Sequence, residues 1–165
     1  MTNQLSSELV WKELGKEIFA VLGMVTAKGE ARTIGVVYIV HNKKIYISTR
    51  KDAWKARHIR TNPCVSMTVP IAKHIPLMPW IKIPAATISF SGRACVLQPD
   101  EVGNYVLHSL FRGLETDREM LDTTAVIAIE PEGEFVTYGI GIPMIEMRDP
   151  VKARGRAPVA VPPGV

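Results

Sequence analysis

The sequence predicts a mainly β protein, a closed or partly closed antiparallel barrel of six or seven strands with two or three peripheral helices. Three observations predict it. Stretches rich in β-branched and apolar residues recur at 19–27, 32–40 and 44–49. Tight turn signals, Lys28-Gly29-Glu30 and His41-Asn42-Lys43, join them into a meander. No strand–helix–strand alternation of the kind a doubly wound nucleotide fold needs is present.

Each element has its own signal. Residues 5–17 read as a helix, with Ser6 or Ser7 as cap and Leu9, Val10, Trp11 and Leu14 as its apolar face. The three strands of the meander follow. Asp52 is placed to cap a short helix running to 61, and Asn62-Pro63 ends it, because a residue before proline avoids the helical region. Residues 64–69 form a strand. Residues 70–84, punctuated by Pro76 and Pro79, form a loop long enough to be functional. Residues 85–97 are a long strand with a bulge candidate at Gly92. Asp100 caps a helix to 111, with Tyr105, Val106 and Leu110 facing inward, and 112–122 is irregular or helical. Strands at 123–130 and 134–139 meet at the turn Pro131-Glu132-Gly133. From 142 onward the prolines argue against regular structure. The chain therefore divides into a barrel domain, 1–141, and an extended Pro/Arg-rich tail, 142–165.

The bulk properties bound the function. With 165 residues, 47% of them hydrophobic and 22% charged, the chain suits one globular domain. A net charge of +4 is compatible with an anionic ligand, with nucleic acid or with neither. The longest apolar run, 18–27, is too short to cross a bilayer, and the first residues lack the apolar stretch of a secretory signal. This predicts a cytoplasmic protein. Cys64 and Cys95 have no metal-binding spacing and read as two buried, reduced thiols. The four histidines form no metal-like pair, so no metal is expected.

The chemistry concentrates at 43–63. Lys43, Lys44, Arg50, Lys51, Lys55, Arg57 and Arg60 stand there against one acid, Asp52. Ser48 and Thr49 offer hydroxyls at a strand end, and Arg50 offers a planar fork of donors. The helix that follows points unpaired N–H groups and its positive dipole end to the same place, with Lys55 in its first turn. A phosphate dianion fits such a place. A solvated basic face accounts for the same residues.

The order of these features adds to this. The meander, then YISTRKDAWKARHIRTNPCVSM, then ISFSGRACVL, resembles the FMN-binding split barrels of the pyridoxamine 5′-phosphate oxidase-like superfamily over roughly residues 15–140. The resemblance implies a split antiparallel β-barrel, FMN as cofactor, and a homodimer with the cofactor at its interface. It implies that Arg32 or Thr33 lies near the flavin ring or phosphate, and that Gly35 and Val36 pass close to the ring. Ser48, Thr49 and Lys55 would hold the phosphate, with Arg50 beside them. Ser66 and Met67 would lie under the ring, and Trp80 and Arg93 would reach it from the partner chain. Two departures stand out. Trp54 occupies the place where a basic residue commonly precedes the lysine, and the C-terminal Trp and Arg signature for the vitamin substrate is missing. The expectation is an FMN-dependent oxidoreductase acting on an apolar or aromatic small molecule, since Ile75, Leu77, Met78, Trp80 and Ile81 give the long loop that character. A deazaflavin-dependent reductase and a non-enzymatic haem- or nucleic-acid-binding barrel are the alternatives. For nucleic acid the basic run offers only Tyr46 and Trp54 as stacking surfaces.

Overall fold

The computed structural model describes residues 3–73, 83–112 and 118–160. Strands dominate: β1 (Asn3–Gln4), β2 (Phe19–Val25), β3 (Ala31–Val37), β4 (Ile39–His41), β5 (Lys44–Arg50), β6 (Cys64–Ile71), β7 (Ala86–Leu97), β8 (Thr124–Tyr138) and β9 (Arg154–Pro158). The helices are α1 (Ser7–Leu14), α2 (Trp54–Thr61), α3 (Asn104–Leu110), α4 (Arg118–Thr123) and α5 (Pro150–Ala153), with 3-10 turns at Pro99–Glu101 and Met144–Arg148. The chain forms two compact units, 1–17 with 68–90 and 132–165, and 18–67 with 91–131. No helix among the described residues is long and apolar enough to cross a membrane.

The second unit carries the strand order β5–β8–β7–β6–β2–β3, with β4 on β5. Its hairpins follow from their turn residues. Between β4 and β5 only Asn42 and Lys43 intervene, His41 pairs with Lys44, and both turn residues have positive φ, 49° and 57°. That is the mirror-image turn whose twist matches the strands it joins. Between β2 and β3, Gly29 takes φ 81° while Thr26 Oγ1 accepts from the N–H groups of Lys28 and Glu30. The β2–β3 register runs from Phe19 opposite Val37 to Val25 opposite Ala31. Ala20, Leu22, Met24, Val36, Ile45, Ile47 and the 125–129 run of β8 fill this unit's interior. Tyr38, fully buried, interrupts what the sequence predicts as one strand and separates β3 from β4.

The first unit carries the order β1–β9–β8–β7–β6, with β1 parallel to β9 and β9 antiparallel to β8. Phe135 is its aromatic centre, edge-on to Trp11 at 5.2 Å and to Phe90 at 5.6 Å. Ser6 caps α1 by accepting from Leu9 N–H. Ser7 Oγ and Trp11 Nε1 both donate to the Val159 carbonyl, so α1 is tied to the end of β9 by polar as well as apolar contacts.

Several expectations are corrected here. The stretch after 142 is no irregular tail over 144–158, because Glu134 to Tyr138 of β8 accepts β9 as a partner. The same pairing keeps 131–133 inside one long β8 rather than a hairpin turn, with Gly133 supplying a positive φ of 71°. Asp100 caps no helix: Gln98 and Glu101 form a capping box on the 3-10 turn, and α3 starts later, after Gly103. Tyr105 is 64% exposed and stacks on His41, while Val106 takes the buried place. Cys64 and Cys95 are exposed, because strand alternation puts them on the outward faces of β6 and β7. Burial and the Glu130 carboxylate push the Cys95 thiol up.

Gly92 is a point of close approach. A Cβ there would lie 2.5 Å from the Glu130 carbonyl oxygen and 3.1 Å from Pro131 Cα, both backbone atoms. Gly92→Ala is expected to cost about 1–3 kcal/mol, as overpacked sites do. A lower urea midpoint at unchanged slope checks it; an unchanged midpoint would show that the β8 backbone yields freely.

Candidate functional site

The site is built from the connection between β5 and α2. Along β5 the burial alternates, so Ile45, Ile47 and Thr49 face the interior while Tyr46, Ser48 and Arg50 face the other way. Ser48 is half-buried. Its neighbour Thr49 is 8% exposed, and its hydroxyl has no hydrogen-bond partner among the described residues. The two adjacent hydroxyls that the sequence groups together therefore point to opposite faces of the strand.

Three residues separate helix α2 from β5. Ala53 is its N-cap residue, with extended backbone, and it makes no side-chain capping hydrogen bond. The first turn holds no acid. Arg57 N–H makes the first intrahelical bond, to the Ala53 carbonyl at 3.2 Å. The N–H groups of Trp54, Lys55 and Ala56 thus lack intrahelical acceptors, and the helix dipole adds positive potential at the same end. Asp52, the cap expected from sequence, instead accepts from Arg50, Nε at 2.9 Å and Nη2 at 3.0 Å. That hydrogen bond holds the Asp52 carboxyl below its ordinary value and Arg50 above its own. The fork of Arg50 is thereby committed to Asp52, and Lys55 makes no ion pair among the described residues.

Lys55 and Ser48 share a pocket of about 450 Å³ with Gly35 and Val36. Ile18, Val37, Tyr38, Ile39 and Ile47 give it apolar walls, and Ser109, Leu110 and Arg112 close it from the end of α3. Its size is within the range of small-molecule sites, about 300–1,000 Å³. Gly35 lies beneath the Phe19 ring: a Cβ would come within 2.9 Å of it. Ser48, Lys55, Ser109 and Arg112 make part of the lining polar and cationic, and the rest is largely apolar. Such a lining suits a flat apolar ring system that carries an anionic group.

The remaining sequence-predicted residues lie elsewhere. Arg32 ion-pairs with Glu30 at 3.1 Å and lines a second pocket with Trp54 and His58. Thr33 is exposed on β3 opposite Gly23. Ser66 is exposed on β6, and its Oγ lies where a Cβ on Gly23 would come within 2.5 Å. Met67 is buried in the interior at 1% exposure. Arg93 is exposed on β7. Trp80 lies outside the described residues, as does most of the predicted 70–84 loop.

Sequence reasoning missed Ser109 and Arg112. Arg112 follows α3 in the left-handed region, φ 53°, where its N–H bonds the Ser109 carbonyl at 3.3 Å. This helix end is usually a glycine's place. The available signal was a polar pair three residues apart flanking Leu110 and Phe111, which the apolar pattern of the helix overshadowed.

Known proteins resemble the chain in family and in fold. A family model described as pyridoxamine 5′-phosphate oxidase matches residues 8–138. A solved structure described as an F420 reductase is 17% identical at a TM-score of 0.54, covering 81% of this chain and 98% of that one. The haem storage protein HutZ of Vibrio cholerae is 17% identical at a TM-score of 0.60, covering 83% and 98%. An FAD-binding protein of Mesorhizobium loti is 17% identical at a TM-score of 0.54, covering 78% and 91%. At these identities the structures share the fold with this chain. No curated protein matches its sequence.

The unpartnered Thr49 hydroxyl is open to a direct check. Thr49→Val removes a buried polar group while keeping the shape, so the ligand-free protein should gain about 1 kcal/mol. Urea unfolding reads this; a loss of stability would show that the hydroxyl has a partner in solution.

Proposed function

From the premise that the chain belongs to the pyridoxamine 5′-phosphate oxidase family, we propose that it is an oxidoreductase whose cofactor is a phosphorylated flavin of the FMN type, either FMN or a larger flavin containing it. The observation that carries this reading is the pocket in which Ser48 and Lys55 meet at the uncapped start of α2, with apolar walls running back to Gly35 and Val36. The first-turn N–H groups of α2, the Lys55 ammonium and the Ser48 hydroxyl bind the phosphate. Backbone at Gly35 and Val36 provides the surface against which the ring lies. When bound, such a cofactor supplies hydride or electron transfer. The chain's own residues bind it, orient it and keep water from its apolar face.

The same proposal extends to assembly and substrate. The chain acts as a homodimer with the cofactor at the interface: Ile18 and Val37, 53% and 52% exposed, are pocket walls that a partner would cover. The substrate is an apolar or aromatic small molecule, on the sequence of the 70–84 segment. Among the described residues no histidine lines this pocket.

The purified protein is expected to be yellow and to release a flavin on denaturation. Lys55→Ala removes a charge-assisted contact, so the dissociation constant for added FMN should rise about tenfold or more while the unfolding midpoint stays put. Fluorescence titration measures it. An unchanged FMN affinity in that variant would remove Lys55 from the site.

A further inference from the structure

The second pocket lies beside the same helix start. It measures about 390 Å³ and is walled on one side by the β2–β3 turn, Thr26 to Glu30 with Arg32, and on the other by Trp54 and His58. Trp54 and His58 are one turn apart on α2, so they share a face, while Lys55 is turned toward the first pocket. The uncapped first turn therefore contributes to both cavities. Whatever anion it holds has an apolar pocket on each side.

Trp54 is suited to stacking. It is 36% exposed, and His58 meets it at an interplanar angle of 64° with centroids 5.6 Å apart, an edge contact that holds the indole without lying flat upon it. The charge of the wall is modest. Arg32 is held by Glu30 at 3.1 Å, which leaves Lys28 as the cation of this lining without an ion pair among the described residues. A long polyanionic extension would find little to neutralise it here. A neutral heteroaromatic base next to one further phosphate is better matched.

We propose that this second pocket takes the adenine half of a dinucleotide flavin, with Trp54 as the stacking surface and the pyrophosphate across the first turn of α2. The proposal rests on the flavin reading above and narrows it from flavin phosphates in general to FAD. It also gives Trp54 a role: an aromatic surface in the first turn of α2 extends the site past the first phosphate.

The test is a set of fluorescence titrations of the flavin-stripped full chain with FMN and with FAD. Base stacking on an aromatic side chain is worth about tenfold or more in affinity. FAD is therefore expected to bind about tenfold more tightly than FMN. Trp54→Ala should raise the dissociation constant for FAD by about that factor and that for FMN by less than about twofold, while Trp54→Phe keeps most of the preference. Equal affinities for FAD and FMN, or equal weakening of both by Trp54→Ala, would overturn the adenine subsite and leave the FMN-type reading standing. Binding of neither flavin would overturn the flavin reading, and the subsite with it.

Discussion

Strand β5 lies on β8 in a register that runs from Ile45 opposite Ile129 to Arg50 opposite Thr124, and that pairing fixes where α2 starts. The 125–129 segment of β8 is buried throughout, so a one-residue slip of β5 would exchange its buried and outward side chains. With the register set, Ser48 must face outward, Thr49 must face inward, and the chain has only Lys51, Asp52 and Ala53 in which to turn. The helix then begins with N–H groups that no side chain caps. An uncapped helix start next to a cationic side chain suits an anion. Both pockets have a wall at that one junction.

The distribution of charge follows from the same turn. Arg50 and Asp52 are two residues apart and satisfy each other in a bidentate exposed pair. Lys44 is paired with Glu130, and Arg32 with Glu30. The basic segment looks like one patch in the sequence, but most of its cations have local partners or face solvent. Lys55 differs because the helix places it, half-buried, inside a cavity with an apolar wall. Its environment, rather than the number of basic residues around it, sets it apart.

Much of this was legible in the sequence where a local rule dictates the outcome. The β-branched runs and their turn residues produce β2 to β5, and Asn62-Pro63 ends α2 as expected. Gly35, Val36, Ser48 and Lys55, all singled out from the sequence, line one pocket. What was not legible depends on long-range partners. Strand β9 exists because β8 offers it an edge 20 residues back at Glu134–Tyr138, and nothing in a Pro-rich segment announces that. Arg50 and Thr49 were grouped with Ser48 by proximity in the chain, whereas strand alternation and the nearby carboxylate of Asp52 separate them. Ser109 and Arg112 arrive from α3, far along the chain, and only the folded unit brings them to Ser48 and Lys55.

The central claim is that the start of α2 holds a phosphate. The most direct measurement compares riboflavin with FMN, which share the ring and differ in that group alone, by titration of the flavin-stripped protein at moderate and at high salt. Contacts to a charged phosphate are each worth about tenfold or more, so FMN should bind at least about tenfold more tightly than riboflavin. Added inorganic phosphate should compete with FMN and leave riboflavin binding unchanged. Equal affinities for the two flavins, or no effect of phosphate on FMN, would contradict the account and leave the uncapped helix without its anion.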